Sequence, residues 1–116
     1  MKQRQAVVLK DEYTDELQRA PINAPAPKQI LCSTTSSLIS AGTELGKISG
    51  GFYWTQVPCL LGYSNASVIE EVGAEVEGYQ PGQRLYSQGP HASHFLIDDP
   101  ASSRWVPCVL PDAVTD

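Results

Sequence analysis

The two histidines of the chain, His91 and His94, are the first side chains to consider for chemistry. Imidazole groups bind metal ions and transfer protons near neutral pH. Three residues apart on a strand, the two side chains would point to opposite faces, so the spacing predicts no shared metal ion. We expect both to be surface or capping histidines.

Carboxylates cluster after the middle of the chain, at Glu70, Glu71, Glu75 and Glu77. Paired carboxylates can act in acid–base chemistry or bind a hard cation. Charges around a strand end and a turn are more typical of a solvated face, which is the interpretation we adopt for this cluster. Ser, His and Asp residues are present, but the sequence contains no nucleophile elbow.

The three cysteines, Cys32, Cys59 and Cys108, are widely spaced and show no C-x-x-C pairing. An odd number of isolated cysteines predicts buried free thiols rather than a disulfide framework or a metal site.

Length and charge place the chain in a broad class. At 116 residues it is expected to form one domain, residues 1–116, with a core of its own. The net charge of −5, without a Lys/Arg cluster, argues against nucleic acid and against an anionic membrane surface as partners. The apolar run near the N-terminus is too short for a signal-peptide core, so a cytoplasmic location is expected.

Short apolar runs separated by Gly/Pro turns predict a mostly β fold with short helical turns. Residues 10–19 allow one helical turn or a polar hairpin. Residues 20–27 carry three prolines and predict an extended connector. Residues 41–55 predict a long loop with one helical turn near 42–48. The predicted strands are residues 6–9, 66–73, 84–87, 94–97 and 105–110, and residues 29–40 are predicted to be a strand that runs into a loop. In 66–73 the alternation puts Val68 and Val72 on one face and Ile69 and Glu71 on the other.

Several motifs in a fixed order carry a family resemblance. They are SAGTEL at 40–45, PCLLGYS at 58–64, the strand at 66–73, YQPGQRL at 79–85, GPHASHF at 89–95 and LPD at 110–112. In this order the chain resembles the GroES-like N-terminal domain of the medium-chain dehydrogenases/reductases, the superfamily of alcohol dehydrogenases and quinone reductases. The resemblance implies a partly open β-barrel.

The metal-binding motifs of that superfamily are altered here. Where zinc-dependent members have Cys-x-Thr/Ser-Asp, this chain has Ala41, Gly42, Thr43 and Glu44, and alanine cannot bind a metal. Where they have Gly-His-Glu, it has Gly62-Tyr63-Ser64. The stretch between Leu85 and His94 is too short for the structural zinc loop, so the chain resembles the zinc-independent branch and no metal is predicted.

The resemblance also suggests site residues. Thr43 matches the position of a proton-relaying hydroxyl, although it could equally be a turn threonine bonded to its own backbone. Tyr63 and Ser64 are predicted to line the substrate cleft, with a buried tyrosine whose hydroxyl is satisfied as the structural alternative. The aromatic loop Phe52-Tyr53-Trp54 borders that cleft in the family, so Tyr53 and Trp54 are predicted to bind substrate unless they only anchor the loop.

The nucleotide-binding motif is missing from the sequence. No G-x-G-x-x-G follows a strand, and Gly50-Gly51 is a doublet without a third glycine. We therefore expect no cofactor to bind tightly to this chain, and NAD(P)H only if a Rossmann domain completes it. The first hypothesis is the substrate-side domain of a zinc-independent NAD(P)H-dependent oxidoreductase, inactive by itself. The alternative is a free-standing, non-enzymatic module that binds a small molecule or a protein, and its exposed face would be either polar or covered in a homo-oligomer.

Overall fold

The computed structural model describes residues 2–11, 13–51 and 56–115. Within these ranges it contains eight strands and one helix. These are β1 (Lys2–Asp11), β2 (Thr14–Ile22), β3 (Gln29–Ser37), α1 (Ala41–Ile48), β4 (Cys59–Leu60), β5 (Asn65–Val72), β6 (Arg84–Ser87), β7 (His94–Asp98) and β8 (Cys108–Val109). The predicted mostly β architecture is confirmed.

The strands form two antiparallel sheets. One has the order β2-β1-β4 and the other the order β7-β3-β5-β6-β8. The segment before β7 joins them, because Ala92 forms an isolated bridge with Ala6 and the Ser93 N–H donates to the Gln5 carbonyl at 2.7 Å. The described residues therefore form a partial barrel that does not close.

The main core lies on one face of the larger sheet, where Ile30, Cys32, Ile69, Leu85 and Phe95 are buried. Opposite β3, the pairing of β5 steps from Glu71 to Ile69 and so leaves Glu70 as an extra residue. A bulge of this kind inverts the alternation of side chains. Val72 therefore packs against the same cluster as Ile69, and the predicted opposite faces for these two residues are wrong.

Other sequence predictions differ from the structure at element ends. Residues 10–19 form the polar hairpin, and the helical alternative is wrong. Strand β2 continues through Pro21, which an edge strand tolerates because one side of its backbone has no partner strand. Helix α1 has two turns rather than one, and the last strand comprises only Cys108 and Val109.

The cysteine prediction holds for one thiol and fails for another. All three cysteines are free, and Cys32 is buried, but Cys108 is exposed because β8 lies at the edge of its sheet. Across residues 2–11, 13–51 and 56–115, no helix has the length and apolar character needed to cross a membrane.

Candidate functional site

A largely apolar groove lies between helix α1 and the β1–β2 hairpin. Its volume is about 540 Å³, whereas three other cavities among the described residues have volumes of about 210, 190 and 140 Å³. Four polar side chains, Asp15, Ser37, Glu44 and His91, share its wall with apolar ones. The apolar lining consists of Val7, Ile39, Ala41, Leu45, Ile48 and Leu61.

Local sequence explains the position of α1. The helix begins after Ser40, whose side chain does not cap it. Instead Glu44 folds back, and its Oε2 accepts the Ser40 backbone N–H at 2.6 Å. At the other end, the Tyr13 N–H donates to the Ile48 carbonyl at 2.7 Å and ties the hairpin turn to the helix. The first contact holds the start of the helix, and the second joins one wall of the groove to the other.

A hydrogen-bonded chain of three side chains lies in the groove wall. The Nε2 of His91 is 2.5 Å from Oε1 of Glu44, and its Nδ1 is 2.7 Å from the Oγ of Ser37. The side chains of His91 and Glu44 are only 11% and 9% exposed. The prediction that His91 is a surface or capping histidine is therefore wrong. We call Ser37, His91 and Glu44 the relay.

The backbone holds His91 in place through a closed ring of three hydrogen bonds. The Val7 N–H donates to the His91 carbonyl at 3.0 Å, the His91 N–H to the Leu61 carbonyl at 2.7 Å, and the Leu61 N–H to the Val7 carbonyl at 3.1 Å. Gly62 adjoins this ring with a φ of +99°, and a Cβ there would lie 2.6 Å from the backbone nitrogen of His91. The imidazole thus approaches the groove from a rigid support.

His94 belongs to a different cluster. Its Nε2 lies 3.5 Å from Oε1 of Glu70, and Lys2 donates to the same carboxyl group. The hydrogen bond from Lys2 is the main cause that holds the pKa of Glu70 below its ordinary value. The two histidines therefore have separate carboxylate partners, and only His91 faces the groove.

Two of the residues predicted from the family resemblance, Thr43 and Tyr63, lie around the start of α1. Thr43 is half-buried in the first turn of the helix. The Tyr63 hydroxyl donates to Ser40 Oγ at 3.0 Å, which brings it to the same helix end. Ser64 is buried and its Oγ lies 3.2 Å from the Tyr86 hydroxyl, toward β6. None of these three is among the residues that line the groove, and their predicted roles stay predictions.

The other two predicted substrate-binding residues, Tyr53 and Trp54, lie outside the described residues. Sequence reasoning did not assign a role to Ser37, Glu44 or His91. One signal was present: Glu44 is the only carboxylate between Glu16 and Glu70. A single acidic residue in such a stretch suggests that a basic group elsewhere in the chain pairs with it.

The residues present do not fit a catalytic zinc ion. Ala41 offers no donor atom, and the Tyr63 hydroxyl is already bonded to Ser40. Within the described ranges, no group of three or more His, Cys, Asp and Glu side chains could hold a metal ion. A protein zinc site needs three or four such donors at close range.

Comparisons with known proteins give matches in structure alone, since no family model and no curated protein matches the sequence. The quinone oxidoreductase of Pseudomonas syringae pv. tomato DC3000 superposes with a TM-score of 0.78 at 19% identity, over 97% of this chain and 35% of that one. The chain shares the fold of part of that enzyme.

Two further solved structures agree. Escherichia coli quinone oxidoreductase, crystallised with NADPH, gives a TM-score of 0.71 at 18% identity, over 96% of this chain and 34% of its own. An alcohol dehydrogenase superfamily protein from Novosphingobium aromaticivorans gives 0.81 at 23% identity, over 97% and 36%. The present chain therefore spans about a third of the length of these structures.

Proposed function

We propose that the chain is the substrate-side, GroES-like domain of a zinc-independent NAD(P)H-dependent oxidoreductase of the medium-chain dehydrogenase/reductase superfamily, inactive by itself. The complete enzyme would transfer hydride to or from a carbonyl group or an activated double bond.

One observation carries this proposal: the apolar groove with a relay of proton-carrying groups in its wall. Val7, Leu45 and Leu61 offer a surface for a flat apolar substrate, while Ser37 and His91 offer hydrogen bonds at one point. Such a pocket, mostly apolar with a few convergent polar groups, is typical of small-molecule sites. The structural matches to quinone oxidoreductases support the same reaction class.

The groove suits the nicotinamide end of a dinucleotide rather than its phosphates. NAD(P)H would supply or accept the hydride when bound. The carboxylates of Asp15 and Glu44 line the groove and would repel a pyrophosphate. We therefore propose that a Rossmann domain outside these 116 residues holds the phosphates and completes the site as a partner.

The test compares two polypeptides: the 116-residue chain and the longest natural polypeptide that contains this sequence. Each is assayed for oxidation of NADPH and of NADH with 1,4-benzoquinone as acceptor. We expect turnover by the longer polypeptide and none by the chain alone, which should bind neither nucleotide tightly. If the longest polypeptide lacks both a dinucleotide-binding segment and any turnover, the proposal is wrong.

Exposed apolar side chains next to the groove also fit the alternative function, that of a non-enzymatic binding module. Leu17, Ile39 and Leu45 are all more than half exposed. A partner domain would cover them, but so would a protein ligand or a second copy of the chain. Light scattering and thermal shift on the 116-residue chain separate these cases: a stable oligomer, or a ligand-induced rise in melting temperature without turnover in the longer polypeptide, favours the binding module.

A further inference from the structure

We infer that the relay delivers the proton that accompanies hydride transfer, and that the Ser37 hydroxyl is the group that hands it to the substrate. This inference rests on the proposed function, because the reaction it serves is the reduction of a carbonyl or quinone. It assigns the proton to Ser37 and His91 rather than to Thr43, the residue that the family resemblance indicates.

Position favours Ser37 over Thr43. Ser37, His91 and Glu44 all line the groove, and Thr43 is not part of its lining. Ser37 ends β3, where the strand gives way to the connection that leads into α1. The Oγ of Ser37 is 2.7 Å from the imidazole Nδ1, within the range of a good hydrogen bond to a proton donor or acceptor. A proton can therefore pass between the ring and the hydroxyl without movement of the backbone.

The contacts of Glu44 fix which ring nitrogen faces Ser37. As a carboxylate, Glu44 accepts the Ser40 N–H at Oε2 and the His91 Nε2–H at Oε1. Nδ1 is therefore left to Ser37. In the neutral ring Nδ1 accepts the Ser37 O–H, and in the protonated ring Nδ1–H donates to Ser37 Oγ. An imidazole positioned in this way by a carboxylate is suited to general acid–base catalysis.

The proton balance of the reduction is complete. NAD(P)H, when bound, would supply the hydride, and the substrate oxygen that gains negative charge would take the hydrogen of the Ser37 hydroxyl. Ser37 Oγ recovers a proton from Nδ1 of His91, so the ring becomes neutral and later takes a new proton from solvent. In the oxidation direction each transfer reverses, and His91 ends protonated beside the Glu44 carboxylate.

The remaining charged group that lines the groove is Asp15, which belongs to β2. Asp15 and Glu44 both bring a carboxyl group to the wall of the groove, although only Glu44 touches the imidazole ring. His94 and Glu70 lie in the separate cluster and take no part. The relay thus has one path to the substrate, through Ser37.

Kinetics of the longest natural polypeptide test the inference, with NADPH and 1,4-benzoquinone as substrates. Ser37→Ala and His91→Asn should each lower kcat by about 10²- to 10⁴-fold with little change in KM, because a general acid acts in the transition state. Ser37→Thr keeps the hydroxyl and should recover most of the rate. The matched controls are Ser36→Ala, an exposed neighbour on β3, and His94→Asn, which should keep the wild-type kcat.

A second readout needs no turnover. In the 116-residue chain, ¹⁵N chemical shifts of the neutral His91 ring should show Nε2 as the protonated nitrogen and Nδ1 as a hydrogen-bond acceptor. Ser37→Ala should move the Nδ1 resonance, and Ser36→Ala should not. This measurement detects the relay geometry even in a variant that folds but does not react.

The outcomes separate the inference from the proposed function. Wild-type turnover with a Ser37→Ala variant within about threefold of it overturns the relay and leaves the proposed function standing. A proton on Nδ1 instead of Nε2 also overturns it. Absence of hydride transfer in the wild-type polypeptide refutes both.

Discussion

Replacement of Gly62 by alanine probes the close approach that supports His91. Gly62 has a φ of +99°, and an added Cβ would lie 2.6 Å from the backbone nitrogen of His91 and 2.8 Å from the Cγ of the same residue. Neither neighbour is the end of a flexible side chain, so the backbone ring of Val7, Leu61 and His91 would have to shift. Gly78 is the matched control, because its φ is +84° but nothing lies within 4 Å of an added Cβ.

The expected loss of unfolding free energy has two contributions, one shared by both variants and one specific to Gly62→Ala. A non-glycine residue in this backbone region costs about 1–3 kcal/mol, and both variants carry that cost. Forcing an extra methyl group into a packed site adds about 1–3 kcal/mol, and only Gly62→Ala carries that addition. The whole domain is expected to be stable by about 5–15 kcal/mol, so the addition should be easy to measure.

The assay is urea unfolding of the two variants and the wild type, followed by far-UV circular dichroism and extrapolated to zero denaturant. We expect Gly62→Ala to lose more free energy of unfolding than Gly78→Ala by the amount of the steric addition. The ¹⁵N shifts of the His91 ring should also move in Gly62→Ala alone. Equal losses in the two variants, with an unmoved imidazole, would refute the idea that Gly62 positions His91.

Three further predictions concern the reactivity of the thiols, the loss of stability at low pH and the packing of the core. Burial raises the pKa of the Cys32 thiol to about 11, so Ellman's reagent at pH 8 should modify exposed Cys108 in the folded chain and reach Cys32 only on unfolding. Because the unfolded thiol loses its proton first, the free energy of unfolding should fall as the pH rises from about 9 to about 11, and Cys32→Ala should remove this fall; a pH-independent difference between the two proteins would contradict it. The hydrogen bond from Lys2 lowers the pKa of Glu70, so Glu70 stabilises the fold above the ordinary carboxyl pKa and this stability is lost as the pH falls through the lowered value. In urea titrations Glu70→Gln should cost at most about 1 kcal/mol at pH 7 and nothing in strong acid, and a cost that persists there would speak against the ion pair. Leu85→Ala should cost about 2–5 kcal/mol, because the side chain is fully buried, whereas exposed Leu38→Ala should cost less than about 0.5 kcal/mol, and similar losses would count against the assigned core.

Most of the strands could be predicted because each is marked by a residue pattern within its own stretch of sequence. The valine-rich run of β1, the alternation in β5 and the Gly/Pro turn before β6 mark strands without reference to the rest of the fold. The bulge at Glu70 escaped prediction because it depends on the pairing with β3, and a single extra residue inverts every face beyond it. The short β8 escaped for a similar reason, since its length is set by its pairing with Leu85 and Tyr86 of β6.

The candidate site was less predictable than the fold. Ser37, Glu44 and His91 come from three separate segments, and no spacing rule brings residues 44 and 91 together. Their contact depends on where the β1 backbone holds the segment before β7. A histidine that follows Gly-Pro is typical of a surface turn, and only the tertiary contact with β1 buries it. By contrast, the sequence alone shows that the Ala41 side chain carries no donor atom for a metal.

The backbone ring of Val7, Leu61 and His91 has a consequence for how the chain folds. Its members come from the start, the middle and the later part of the sequence, so two long loops must close before all three bonds can form together. Closure of such loops loses chain entropy before it gains contacts, which slows folding in proteins dominated by distant pairings. A nascent chain on the ribosome therefore cannot complete this ring, or hold the His91 imidazole against the groove, until His91 has left the exit tunnel.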